Sequence, residues 1–268
     1  MEREQYDVMF AQEERHWWYV GMRRISAALL DRFGPRTEQP GPLQILDAGC
    51  GSGGTTRFLA SRGTVTGIDL APEALALASR RGLTRLARAS VGRLPFRSAS
   101  FDVVTSFDVL YHLNVNDDRA ALAELHRVLR PGGVLLIRLP AHDWIRGAHD
   151  DAVHTRHRYT RDELTGKLDA VGFQLEHATY ANSILFPIAP IKRYLEHRNG
   201  TQEATDLRRP PAPLNRLLTD LLSLEAIPAR GIGLPWGLSV FAVARRVHPE
   251  EDGERVTQIV DQLAGVGR

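Results

Sequence analysis

The chain has 268 residues, 43% of them hydrophobic and 25% charged, enough apolar content for one large core, and its formal net charge of +2 is spread rather than clustered. That balance excludes a nucleic-acid footprint or a membrane-surface patch as the basis of function. The single cysteine, Cys50, excludes an internal disulfide framework and a multi-cysteine zinc site. With no apolar leader in MEREQYDVMFAQEER and no apolar run near ~18 residues, the expected setting is the cytoplasm, without membrane attachment.

Apolar positions at helical spacing from Val8 to Leu30, closed by Gly34 and Pro35, predict a helical N-terminal arm over residues 4–33. TEQPGP (37–42) is a turn-rich linker into LQILDAG, a glycine-bounded apolar run that reads as a buried parallel strand. Strands and helices then alternate: strand 43–48, helix 53–62, strand 64–69, helix 72–81, strands 84–89 and 101–106, helix 117–129, strand 133–139, helix 161–171 and strand 173–181. Residues 183–235 break the rhythm with proline-punctuated apolar segments. They predict a helical insertion, with a loop near 198–212, before a last strand in LSVFAVARR and a tail over 248–268. The expectation is a single α/β domain over 1–247 with a doubly wound, seven-stranded, mostly parallel sheet and helices on both faces.

ILDAGCGSGG ends the first strand, and its glycines let main-chain N–H groups and the next helix's N-terminus approach a ligand. Gly49, Gly51 and Gly54 satisfy G-x-G-x-x-G, which by itself leaves a dinucleotide site and an adenosine-cofactor site both open. Asp69, 20 residues beyond Gly49, stands where a carboxylate accepts both ribose hydroxyls. Asp47, two residues before the first glycine, would repel a pyrophosphate but not a cofactor carrying an ammonium and a sulfonium, so the charge logic favours S-adenosylmethionine (SAM) over NAD.

LDAGCGSGG, GIDLAPEAL, RLPFRSASFDVVTSFDVLYHL and ELHRVLRPGGVLLIRLP, in this order over residues 43–140, resemble the successive motifs of class I SAM-dependent methyltransferases. HWWYVGMRR at the front and AHDWIRGAHDDAVHTRHRYTRDEL after the fifth strand resemble a small-molecule subgroup of that family. The resemblance implies a Rossmann-like methyltransferase fold, SAM as cofactor and S-adenosylhomocysteine as product. It implies that Asp47, Gly49, Gly51 and Gly53, with Cys50 between them, hold the methionine part, that Asp69 takes the ribose and that Leu70 lies beside the adenine. Where the family often has an acidic residue for the adenine amino group this chain has Ser90, so the contact falls to Ser90 and the backbone amide of Val91; Ser106 and Phe107 stand where a backbone carbonyl meets the cofactor's amino group.

Acceptors bind outside the carboxyl ends of the strands in an open α/β sheet, so Tyr111 and His112, just after the fourth strand, are candidates for orienting the substrate or removing its proton. The loop with His142, Asp143, His149, Asp150, Asp151, His154 and His157 has the residue types of a metal site without its spacing. Its other reading is a substrate-facing loop in which His154, Arg156, His157 or Arg158 meets a polar or anionic acceptor. On a helix, Trp17 and Trp18 cannot point the same way; one is expected in the core and the other over the cleft. As the lid of a methyl-transfer site, the arm (residues 1–36) would use Arg23 for the methionine carboxylate, Trp18 or Tyr19 to cover the cofactor, and His16 toward the acceptor, while 183–235 would roof the acceptor or form an interface. The expected function is methyl transfer to O, N or C of a small molecule of a specialised (natural-product) pathway, by a monomer or homodimer, with no resident metal and no nucleic-acid or membrane partner. A SAM-binding regulator or partner subunit is the alternative, and His112 and the elaborate acceptor-side loops favour the enzyme.

Overall fold

The computed structural model describes residues 3–35, 41–147, 150, 153–188 and 209–247. In chain order the elements are α1 (Arg3–Gln12), α2 (Trp17–Phe33), β1 (Leu43–Ala48), α3 (Gly54–Leu59), β2 (Gly63–Asp69), α4 (Pro72–Arg80), β3 (Leu86–Arg88), β4 (Phe101–Phe107), α5 (Asp118–Val128), β5 (Leu129–Pro140), α6 (Arg161–Ala170), β6 (Phe173–Ala181), α7 (Ala212–Leu224), α8 (Ala226–Arg230) and β7 (Ser239–Arg246). The strands form one sheet in the order β3-β2-β1-β4-β5-β7-β6, parallel except for β7, which runs antiparallel to both its neighbours. This is the Rossmann-like, doubly wound arrangement that the alternation predicts, with strand order reversing at β1 and β4. A crevice opens there at the carboxyl ends of the strands.

Burial explains the core strands. All seven residues of β4 are buried, as expected for a strand covered on both faces. One core layer gathers Leu46, Val104, Leu135 and Ile137 with the α5 residues Leu122 and Leu125. The other gathers Ile45, Val103, Leu136 and Phe241 with Met22, Ile25 and Leu29 of α2.

The predicted arm over 4–33 is two helices, not one. The break has a specific cause: His16 takes an extended backbone conformation (φ −70°, ψ 134°) and its Nδ1 accepts the Trp18 N–H at 3.3 Å, while the Trp17 N–H donates to Asn215 Oδ1 of α7 at 3.0 Å. Asn215 Nδ2 returns a bond to the Arg15 carbonyl at 2.9 Å. The elbow is thus capped by a residue remote in sequence. The insertion after β6 contains α7 and α8, and of the loop expected near 198–212, residues 198–208 lie outside the described residues and Ala212 already begins α7. Among the described residues no helix is long and apolar enough to cross a membrane.

Helix α7 crosses α2 closely at Gly21, where an added Cβ would come within 2.6 Å of the Leu222 side chain. Leu222 is buried in the α2 core layer. Leu222→Ala is therefore expected to lower folding stability by about 2–5 kcal/mol, read from the midpoint of chemical denaturation.

Candidate functional site

A cavity of about 870 Å³ lies over the carboxyl ends of the strands and runs from Asp69, at the end of β2, to Asn182, just after β6. Its floor begins at the glycine loop. Gly49 (φ 93°) and Gly51 (φ 53°) line it, both in the left-handed region; a Cβ on Gly49 would strike Val109, and one on Gly51 would stand 2.9 Å from Met9 Cε. Gly53 does not line the cavity. Its missing side chain instead lets the loop seat on α4, where a Cβ would come within 2.7 Å of Leu83 and 2.9 Å of Ala78.

Two carboxylates face this floor. Asp47 is 1% exposed, and its oxygens accept hydrogen bonds from the hydroxyls of Thr56 (2.6 Å) and Thr105 (2.9 Å). Asp69 accepts the N–H groups of Gly51 and Ala71, each at 2.9 Å. Among the described residues neither forms an ion pair. Burial pushes both above the ordinary carboxylate range, with hydrogen bonds opposing the shift. The site therefore favours a ligand that brings positive charge and hydroxyls, and disfavours a pyrophosphate. That donor set fits the ammonium, sulfonium and ribose of SAM.

Leu70, Ala71, Ser90, Val91 and Phe107 continue the wall. The Ser90 hydroxyl already accepts the Gly92 N–H at 3.2 Å, and Ser106 is fully buried behind the wall. Cys50 lines the floor, and burial pushes its thiol up, which favours the protonated form.

Helix α1 covers this half of the cavity with Tyr6 and Met9, and Glu13 follows just after it. A buried staple holds it down: Arg81 pairs with Glu13 at 2.9 Å and donates to the carbonyls of Ser52 and Phe10, each at 2.8 Å, while the Ser52 hydroxyl donates to Glu13 at 2.8 Å. The same guanidinium lies 4.2 Å over the Phe10 ring. Arg23 stands elsewhere than expected. Its guanidinium donates to the Glu13 carbonyl at 2.6 Å and does not line the cavity, because α2 begins only at Trp17 and carries residue 23 back behind the elbow. The elbow also changes the tryptophans: His16, Trp17, Trp18 and Tyr19 form the first turn of α2, presented end-on, and all four line the cavity.

Arg138 of β5 marks the middle of the cavity. It is buried, pairs with Asp108 after β4, and sits 4.8 Å from the Trp18 ring and 5.1 Å from the Phe107 ring. Beyond it lie Tyr111 and His112. His112 Nδ1 accepts the Asn114 N–H at 3.1 Å, which puts the proton of the neutral ring on Nε2. Burial, aided by His154, pushes its pKa down to about 4, so the ring is neutral at pH 7.

Of the four expected substrate residues in the 154–158 loop, only Arg158 lines the cavity, and it is held by Asp150 at 2.7 Å and 3.1 Å. Arg156 turns to Asp118 (3.4 Å), His157 is bridged between Asp143 (2.6 Å) and Glu163 (2.8 Å), and the His154 ring lies tilted against His112 with centroids 5.7 Å apart. Internal ion pairing thus absorbs most of this loop's charge. His149 and Asp151 lie outside the described residues, and among the described ones no group of three His, Cys, Asp or Glu is arranged to hold a metal. Sequence reasoning missed Glu13, Asp108, Arg138 and Asn182 as cavity residues; a lone arginine inside the apolar run LLIRLP was the one available signal.

Comparison with known proteins agrees with this geometry. Residues 46–137 match the family described as a methyltransferase domain. The chain is 33% identical over 172 residues to a malonyl-[acyl-carrier protein] O-methyltransferase of Enterobacter lignolyticus, covering 61% of this chain and 65% of that one. It is 36% identical over 150 residues to a trans-aconitate 2-methyltransferase of Deinococcus radiodurans, covering 54% of each. It therefore spans less than two thirds of the length of these curated relatives. Among solved structures, a SAM-dependent methyltransferase from Mesorhizobium loti superposes with a TM-score of 0.54 at 20% identity, over 83% of this chain and 95% of that one, a likeness of fold.

Two outcomes follow. Because the folded pKa of Asp47 is raised by burial, the folded chain holds that proton longer than the unfolded one, and folding stability is lost as pH rises above the ordinary carboxylate value. Asp47→Asn should therefore gain thermal midpoint over the parent as pH rises from about 4, while binding SAM at least tenfold more weakly by calorimetry. Arg81→Ala leaves Glu13 buried without the guanidinium that pairs with it, so α1 should loosen from the glycine loop. Faster amide exchange over α1 is expected, and unchanged exchange there would remove the staple assignment.

Proposed function

We propose that this chain, a member of the class I SAM-dependent methyltransferases, transfers the methyl group of SAM to O, N or C of a small-molecule acceptor and releases S-adenosylhomocysteine. One observation carries the reading: a buried carboxylate, Asp47, and a half-buried one, Asp69, neither ion-paired among the described residues, face a glycine loop whose cavity continues past Arg138 to Asn182. When bound, the cofactor supplies a methyl group already activated by a sulfonium. Asp47 would face its ammonium group, the Asp69 oxygens would accept the ribose hydroxyls on the lone pairs left by Gly51 and Ala71, and the Val91 amide with the Ser90 hydroxyl would meet the adenine. Trp18 and Tyr19 would exclude water from the reacting centre, and Arg138, neutralised by Asp108, would keep Trp18 in place.

Methyl transfer is an in-line displacement, so the chain's main task is to aim the acceptor. Tyr111 and His112 are placed for this, with His16 on the facing elbow. A ring with a pKa of about 4 and its proton on Nε2 is a hydrogen-bond donor at pH 7 and a weak base, so His112 orients the acceptor. The N-terminal segment serves as the cofactor lid and the insertion as the roof of the acceptor chamber. Relatives that carry the names malonyl-[acyl-carrier protein] and trans-aconitate methyltransferase support a small-molecule acceptor, and a specialised biosynthetic pathway is the setting proposed for it.

Calorimetry with SAM, S-adenosylhomocysteine and NAD, followed by methyl-labelled SAM with a metabolite extract, tests the reading. SAM binding with label in a metabolite is expected; NAD binding in place of SAM, or SAM binding with no label transferred to any metabolite, would defeat it. With the labelled acceptor in hand, His112→Ala should lower kcat/KM by about ten- to a hundredfold, leave SAM affinity unchanged, and reveal no parental rate limb near pH 6.5.

A further inference from the structure

We propose that Asn182 anchors the far end of the methyl acceptor, its amide oxygen accepting a hydrogen bond from a hydroxyl or N–H group of an elongated, mainly apolar molecule. Asn182 follows β6, is 4% exposed and lines the cavity, and its Oδ1 is fully buried with no hydrogen-bond partner among the described residues. Its backbone is left-handed, with φ 59°. Asparagine tolerates that conformation chiefly when its side chain bonds nearby backbone, and here no such bond exists among the described residues. The residue thus combines a strained backbone with an unsatisfied buried acceptor, a combination that persists only where surrounding structure enforces it.

The enforcement is visible. Glu225, between α7 and α8, is buried and its Oε1 accepts the N–H groups of Ser183 (2.8 Å) and Ile184 (2.9 Å), and the Ser183 hydroxyl donates to the Trp236 carbonyl. Gly237 lies so close to Ala181 that a Cβ would strike the Ala181 carbonyl. Among the described residues, every bond that fixes the turn comes from groups other than the Asn182 side chain.

Position gives the acceptor its length. The reacting end, whose location follows from the methyltransferase reading on which this inference rests, lies at the end of β4. Asn182 lies at the end of β6, three strand spacings away across β5 and β7, or about 14 Å. Leu185, Ile188, Leu218 and Leu238 line the cavity toward that end, which suits an apolar body between two polar ends.

Decane-1,10-diol and its monomethyl ether, 10-methoxydecan-1-ol, serve as probes, titrated by calorimetry into protein saturated with S-adenosylhomocysteine. The diol should bind about tenfold more tightly than the ether, which can present a donor at only one end. Asn182→Gly, which keeps the left-handed backbone, should bind the diol no better than the ether without a lowered thermal midpoint, and Asn182→Asp, still an acceptor, should keep the preference. Equal affinities in the parent, failure of both probes to bind, or a preference that survives in Asn182→Gly overturns the assignment, as does a glycine variant that loses stability while its probe binding is unchanged. Failure to bind S-adenosylhomocysteine at all would instead remove the methyltransferase premise.

Discussion

A carboxylate closed off from water with only two hydroxyls for company is the constraint around which the cleft is organised. Asp47 sits at the end of β1, between Thr56 of α3 and Thr105 of β4. Three elements must therefore keep register to hold one charge. Those hydroxyls make the buried anion tolerable without neutralising it, and the field it leaves at the glycine loop selects the sign of whatever binds there. Asp69 adds to that field from the neighbouring strand. By contrast, Arg138 and Arg158 are each matched to an aspartate, so these two cations leave little net charge on their part of the cavity wall.

Helix α1 is tied to the same loop from outside. Glu13, just after it, lies against Gly54, whose added Cβ would strike it, and shares Ser52 with Arg81, so α1 closes on the glycine loop. Three residues after Glu13, His16 caps α2, which begins at Trp17 under the bond from Asn215 of α7. One short bend therefore joins α1, the glycine loop and α7.

The sheet was readable in the sequence because its strands are apolar runs bounded by glycines or turns, and LQILDAG and VTGID carry their functional carboxylates in fixed places at strand ends. What escaped reading depends on partners far along the chain. No local pattern announces that Asn215 caps the helix at Trp17, so the arm reads as continuous and Arg23 reads as facing the cleft. The charged loop at 142–158 reads as a binding surface because its residues resemble one, yet Asp118, Asp143, Asp150 and Glu163 take up Arg156, His157 and Arg158. Asn182 is silent in sequence: its character comes from a backbone angle and from what does not touch it.

The family match ends at residue 137, and Asn182, Leu218 and Ser239 of the cavity come from later chain. The matched stretch thus supplies the glycine loop together with Tyr111 and His112, while the Asn182 end is built from chain that the family model leaves out. Substitutions after residue 137 can therefore reshape that end of the cavity while every residue of the glycine loop stays as it is.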